Sequence, residues 1–449
     1  MAGYSYITFG QLQSALLQRL QDTNGVFTTP IEAGIYLVEA LRVLQANTAR
    51  KTADYLVDFA PGSGWQSLNQ SNSPRVRSVT DAQIYTEMQY MLMEPPTGGT
   101  WTGTNQFNIT NLSEALQYRV NELLLSSGAN VVNLTNIPSP VAGTSTILPD
   151  NVLHLRRVRW IPSPLVNPQT PYTLWREDIE SANAYGDTLS TQIGTPESWL
   201  ITASPQLTFD VSVTPNTPGM WDLLVYESGA TLSPPTSTII NLPNDWCWVA
   251  KYGALADCLS NSPEASDQFR AKYCLDRYQR GVKAMLNLPW LNQASIADLP
   301  VDAVSYVDMD AYSQSWETEA NPNDPQIVVG GMDLVAVSPF TPPQSPTVSA
   351  VLNVVENAPV PSFPSDYVQL SREGVEAVLC YAQHVAMFKC GGADFQATMT
   401  LYQQFENYCT AQNKRYAALG VFRPDMLMQG NRGSEIDPVF GPPAGVNNV

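Results

Sequence analysis

The stretch NLPNDWCWVAKYGALADCLSNSPEASDQFRAKYCLDRYQRGVKAML, residues 241–286, reads as two helices folded back on each other. Leu242-Pro243-Asn244-Asp245-Trp246 leads into apolar and aromatic side chains at helical spacing over roughly Asp245–Leu259. Ser260-Asn261-Ser262-Pro263 breaks that helix, because three small polar residues favour a turn and proline cannot continue the run. A second helix is predicted over Glu264–Leu286, and so short a break pairs the two as an αα-hairpin. The succession returns at Phe363-Pro364-Ser365-Asp366-Tyr367, again apolar, proline, polar, aspartate, aromatic. It predicts a second hairpin, with helices from Asp366 to about Lys389 and from Asp394 to Leu419 around a Gly391-Gly392 break. Tyr252-Gly253-Ala254, Asp267, Phe269, Tyr273 and Tyr278 find counterparts in Tyr381-Ala382, Asp394, Phe395, Tyr402 and Tyr408. A duplication would produce this pattern, and so would any two amphipathic hairpins.

Towards the N-terminus the punctuation is also helical. Thr8-Phe9-Gly10-Gln11 forms a capping box ahead of Leu12, Leu16, Leu17 and Leu20. At Thr29-Pro30-Ile31-Glu32, threonine caps, proline takes the first helical position and glutamate is expected to return to the cap. A third helix opens at Thr80-Asp81-Ala82-Gln83 and stops before Pro95-Pro96; a fourth opens near Asn111 and stops at Gly128. A Gly/Ser/Asn-rich loop is expected around Pro61–Pro74. Beyond Gly128, Val152–Ile161, Thr208–Val213 and Asp222–Tyr226 are short β-like runs between turn clusters, the pattern of an antiparallel meander. Residues 293–362 are Pro-rich and extended, with a hairpin turning at Gly330-Gly331 between Ile327–Val329 and Leu334–Val337.

The expected class is α+β: a helical bundle with an antiparallel β insertion, a Pro-rich extended arm and a second αα-hairpin. The expected divisions are a helical region over 1–128, a β region over 129–241 and a hairpin over 242–292 that completes the bundle. The arm over 293–362, the second hairpin over 363–419 and an extended tail over 420–449 follow.

Composition narrows the function. Only 14% of the 449 residues are charged, whereas 44% are hydrophobic, and a surface short of Lys and Glu suits large buried interfaces. A net charge of −18 argues against affinity built on phosphate neutralisation. No run of about 18 apolar residues offers a membrane span, and MAGYSYITFGQLQ lacks the charge and apolar core of a secretory signal. Six cysteines without regular spacing read as free thiols, mostly buried.

No nucleophile elbow, P-loop, dinucleotide fingerprint or paired-histidine zinc motif occurs. His154, beside Arg156, Arg157 and Arg159, and His384, between Tyr381 and Phe388, read as structural. Asp308-Met309-Asp310, with Glu317, Glu319 and Asp324, could hold a hard cation or act on a glycan; a solvated acidic loop is the simpler reading. Arg157 and Arg159 project to one face of a strand, where they could meet phosphate or, in so acidic a protein, carboxylates of a neighbouring subunit. Trp246, Trp248 and Trp290 read as core or interface anchors. In the tail, Phe422, Met426, Leu427, Met428, Val439 and Phe440 are too apolar for a solvated linker and are candidates for docking to a partner. Neither a catalytic residue nor a cofactor or metal ligand is expected.

The order of elements then carries a resemblance. Phe9-Gly10-Gln11-Leu12-Gln13-Ser14-Ala15-Leu16 leads to Glu39-Ala40-Leu41-Arg42-Val43-Leu44-Gln45. Leu148-Pro149-Asp150-Asn151-Val152-Leu153-His154-Leu155-Arg156-Arg157-Val158 follows, then Gly194-Thr195-Pro196-Glu197-Ser198-Trp199 and Leu242-Pro243-Asn244-Asp245-Trp246. Over about residues 5–290 this resembles the head-to-tail adaptor (connector, head-completion, neck) proteins of tailed bacteriophages. The resemblance implies a structural protein of the virion, made in the host bacterial cytoplasm, that forms a ring of twelve copies beneath the portal. It implies contacts with portal and with tail or nozzle proteins, and a channel through which DNA passes without specific binding. Two other readings stay open: another phage tail or baseplate component, or a carbohydrate-active tail protein using Asp308 and Asp310.

Overall fold

The computed structural model describes residues 5–59, 66–67, 76–93, 107, 109–139, 145–162, 172–177, 193–203, 207–234, 237–260, 265–287, 291–296, 304–305, 326–329, 334–338 and 348–418. It is a mixed α+β protein in which helices provide the larger core.

Helix α1 (Phe9–Arg19) starts at a complete Thr8/Gln11 capping box. Helix α2 (Pro30–Thr48) starts where the Thr29 hydroxyl accepts the Glu32 N–H, but the Glu32 carboxylate does not return to the cap. It turns inward, accepting from the Tyr36 hydroxyl at 2.6 Å and the Lys389 ammonium at 2.8 Å, because charge-assisted bonds are stronger than a backbone cap. Helix α3 (Asp81–Met91) repeats the capping box with Thr80 and Gln83. Helix α4 (Ile109–Ser127) ends at Gly128, whose φ of +61° is left-handed. Helices α5 (Cys247–Ser260) and α6 (Ala265–Asn287) form the hairpin read from the sequence, entered through a 3₁₀ turn at Asn244–Trp246. Helices α7 (Arg372–Met387), α8 (Gly392–Ala397) and α9 (Met399–Ala418) form the second, which breaks at Gly391 and Gly392, both with positive φ.

Three further expectations are corrected. The second hairpin does not begin at Asp366. Tyr367–Leu370 is a strand paired antiparallel with Ser5–Thr8, and Ser371 caps α7 by accepting the Gly374 N–H at 3.0 Å. The Asp366 carboxylate is spent on the Ser362 and Phe363 N–H groups, and Val368 and Leu370 alternate inward as period-two residues do. The N-terminal region is not wholly helical: Thr52–Phe59 is a strand that pairs along its whole length with Val348–Val355. The stretch after 293 is therefore sheet bound to the N-terminal region rather than a separate arm, with Leu291–Ile296 on the other edge of Val348–Val355. The predicted hairpin within it exists as Gln326–Val329 against Leu334–Ser338; its Gly330-Gly331 turn lies outside the described residues.

The third correction concerns the β region, which is not a meander. Gly219–Glu227, its last long strand, lies between Val131–Pro138 and Val152–Pro162 and is antiparallel to both. A second sheet orders Ser145–Ile147, Thr208–Val211, Ser198–Ala203 and Trp175–Arg176, and its last pairing is parallel. Apolar burial explains the arrangement: Trp160, Trp199, Phe209 and Trp221 from both sheets close one core, with Phe209 edge-on to Trp221 at 5.4 Å.

The helices form two units of like topology. The outer unit is α1, α2, α7 and α9; the inner is α3, α4, α5 and α6. Each opens with a capping box, and residues ahead of the third helix pair with the start of the first, Tyr367–Leu370 with Ser5–Thr8 and Ile239 with Thr80. In each, the second helix packs on the third and the third on the fourth, and a β elaboration separates second from third. The inner unit sits inside the elaboration of the outer one. One sequence interval separates both Tyr252 from Tyr381 and Tyr273 from Tyr402.

Candidate functional site

Where the two units meet lies a buried charged cluster, with Glu87 at its partly exposed edge. Glu39 of α2 accepts hydrogen bonds from the Lys251 ammonium, the Tyr252 hydroxyl at 2.9 Å and the Tyr381 hydroxyl at 2.8 Å. The Lys251 ammonium also donates to Glu87 at 2.7 Å. Arg277 donates to the hydroxyls of Tyr252 and Tyr273, each at 3.0 Å, and to that of Tyr381. Its guanidinium lies 4.0 Å from the ring centre of Tyr252, 5.0 Å from that of Tyr381 and 5.2 Å from that of Tyr402. Two carboxylates thus face two cations. Burial alone would push the Glu39 carboxyl up, yet Lys251 and Arg277 hold it below its ordinary value. Burial would likewise depress Lys251, but Glu39 and Glu87 raise it. The arrangement fixes the register of the units, since a shift of either would strand a charge away from water.

His384 borders this cluster. Its Nε2 lies 2.7 Å from the Tyr273 hydroxyl and its Nδ1 2.8 Å from the Thr398 hydroxyl. Burial, and then Arg277, push its pKa down to about 3, so the ring is neutral at physiological pH. Thr398 donates to the Phe395 carbonyl, so Nδ1 carries the proton and Nε2 accepts from Tyr273. His154 is half-buried against Tyr226, at 5.6 Å between ring centres, and burial with Arg176 and Arg156 lowers its pKa.

Arg157 and Arg159 do share a face, but both are buried, and their carboxylate partner is in the same chain. Asp222, on the neighbouring strand, accepts from Arg157 at 3.3 Å and from Arg159 at 3.5 Å. Trp246 and Trp248 are core residues, stacked at 6.5 Å. Trp290, Asp308, Asp310, Glu317, Glu319 and Asp324 lie outside the described residues, as do Phe422, Met426, Leu427, Met428, Val439 and Phe440. Among the described residues, no helix is long and apolar enough to cross a membrane.

A groove of about 390 Å³ opens between α7 and α9, lined by Arg372, Glu373, Glu376, Cys380, Gln404 and Tyr408. Arg19 of α1 closes one side through an ion pair with Glu376.

Glu39, Lys251 and Arg277 were not singled out from sequence. The signal was there: Glu39 interrupts an apolar stripe, Lys251 stands inside Trp-Val-Ala-Lys-Tyr, and Arg277 follows Tyr273 by one helical turn. No protein-family model and no curated protein matches this chain.

Proposed function

We propose that this chain is a structural protein of a tailed-phage virion, a head-to-tail connector adaptor that self-associates into a ring beneath the portal. The observation that supports the reading is a helical bundle that carries a β module, here set between the second and third helices of the inner unit, as the sequence resemblance implies for that family in general terms. The buried cluster at the unit boundary supports it too: its side chains serve one another rather than a substrate. On this reading the portal, tail or nozzle proteins and further copies of the chain are the partners, and packaged DNA slides past an acidic ring. The apolar tail residues from Phe422 to Phe440 would anchor the ring to the portal.

Incubating the purified chain with portal-bearing, DNA-filled heads tests this. Sedimentation should carry the chain with the heads, and electron microscopy should show a new layer of density below the portal. Failure to bind heads of the cognate phage would overturn the reading.

A further inference from the structure

Helices α2 and α4 hold equivalent positions in the two units and have the same length, 19 residues, yet they are buried differently. Each buried position of α4, from Leu112 to Ser127, falls on a buried position of α2, from Ala33 to Thr48, at one constant interval. Those positions face the core of their own unit. Helix α2 buries a second stripe as well, formed by Glu32, Tyr36, Glu39, Val43 and Ala46. That stripe meets the inner unit at Glu39, which Lys251 reaches, and the 3₁₀ turn Asn244–Trp246 packs on α2, whereas Glu32 pairs with Lys389 of the outer unit. On α4 the same stripe is Asn111, Ala115, Tyr118, Glu122 and Leu125; Ala115 and Glu122 are half-buried, Glu122 accepting from the Tyr278 hydroxyl of α6 at 2.8 Å, but Tyr118 is 61% exposed and Leu125 45%.

The other half of the contact is open too. The interval that relates Tyr252 to Tyr381 relates Asn244 to Glu373, Cys247 to Glu376 and Lys251 to Cys380. Asn244 and Cys247 lie where α2 packs, and Cys247 is buried; Glu373 and Glu376 are exposed, on the groove between α7 and α9. Lys251 is met by Glu87 of α3, and Cys380 by Arg19 of α1, at 3.8 Å, so the first helices correspond as well.

One contact is thus made once within the chain, outer α2 against the inner α5 entrance, and its two halves are left open at opposite units. We infer that copies of this chain associate head to tail, with the α4 stripe of one seated on the α7/α9 groove of the next. The occupant is a second copy because the chain already shows this helix class on this surface class. The contact is heterologous, so it propagates, and it closes into a ring where the rotation allows. It rests on the ring-forming reading only for that closure.

Cysteine cross-linking tests it. Chains bearing Leu125→Cys and Glu373→Cys, mixed and treated with a short bis-maleimide, should yield covalent dimers. The two changes in one chain should yield a ladder, and adding Tyr118→Arg should reduce the ladder at least tenfold. The unmodified chain, with its six native cysteines, is the control. Linkage no greater than that control, or dimers from Leu125→Cys alone in a Cys380→Ser background, would overturn the inference. Head binding by a chain that fails to link would reject this contact and leave the adaptor reading intact. Linkage by a chain that never binds heads would support the contact and reject the adaptor.

Discussion

Replacing Glu39 by glutamine tests the buried cluster most directly. Glutamine keeps an oxygen for the Tyr252 and Tyr381 hydroxyls but removes the charge that faces Lys251 and Arg277. Among the described residues, Glu87 is then the sole carboxylate bonded to Lys251, and Arg277 keeps only hydroxyls and ring faces. Breaking a buried ion pair from one side costs about 3–5 kcal/mol, because the remaining charge is stranded in low dielectric. Trp248, 5.3 Å from the Arg277 guanidinium, supplies a fluorescence signal for the seam. In urea, the transition it reports should move to lower denaturant with an unchanged slope. The double variant Glu39→Gln/Lys251→Met should recover much of the loss, since exchanging both partners for neutral groups is far cheaper than orphaning one. A single-variant loss below about 1 kcal/mol, or a double variant that loses the sum of the two singles, would show that the charges are not coupled as described.

The same cluster sets a pH window. The folded Glu39 carboxyl titrates below its ordinary 4.5, so its contribution is full above 4.5 and fades as pH falls through the lower folded value. The folded Lys251 titrates above 10.5, so its contribution is full below 10.5 and fades as pH rises through the higher folded value; seam stability should plateau between those limits. Asp222→Asn removes the carboxylate shared by buried Arg157 and Arg159 and should destabilise the β module by about 1–3 kcal/mol, the worth of hydrogen bonds to a charged group, read by denaturation of the Trp160/Trp199/Trp221 core. Gly219→Ala should lower the melting temperature of that module, because a Cβ would stand 2.5 Å from the Ile161 carbonyl oxygen and from Trp160 Nε1. Deleting residues 421–449 should leave far-UV circular dichroism and melting unchanged while abolishing stable attachment to portal-bearing heads.

The starts of α1 and α3 were legible because each is written locally. Thr8/Gln11 and Thr80/Gln83 need only residues three apart, and both boxes form. The strand Thr52–Phe59 was missed because its partner, Val348–Val355, lies far away in sequence and the whole inner unit intervenes. Gly219–Glu227 was legible as a strand but not as the centre of its sheet, since order within a sheet depends on non-local burial. The second hairpin was placed too early because Asp366 looks like a cap; only the period-two burial of Val368 and Leu370 distinguishes strand from first turn. The tyrosine spacing that hinted at a repeat turned out to mark the seam itself, where Tyr273 and Tyr402 stand 6.3 Å apart. Their counterpart positions in the two units meet around Arg277, which has no cationic twin, as Glu406 occupies the corresponding place.

That asymmetry bears on why the covered and open stripes differ in chemistry. Inside the chain, the inner unit is tethered at both ends to the outer one, so the contact forms at high effective concentration and need not be reversible. Such a contact can carry Glu39 and Lys251 into the interior, because full desolvation happens once, on folding, and the charges fix the register. A contact between separate chains must form from solvated surfaces, and ordering or stripping buried ions there would erode the association energy. The open stripe accordingly places Tyr118 where the covered one has Glu39, and Leu125 where it has Ala46. An exposed aromatic and an exposed leucine on one helical face supply burial without a stranded charge. Across the groove, Glu376 is already neutralised by Arg19, so seating a helix there need not leave that carboxylate unpaired. The two stripes therefore occupy one topological position but answer different physical demands, permanent docking in the outer unit and reversible docking in the inner one.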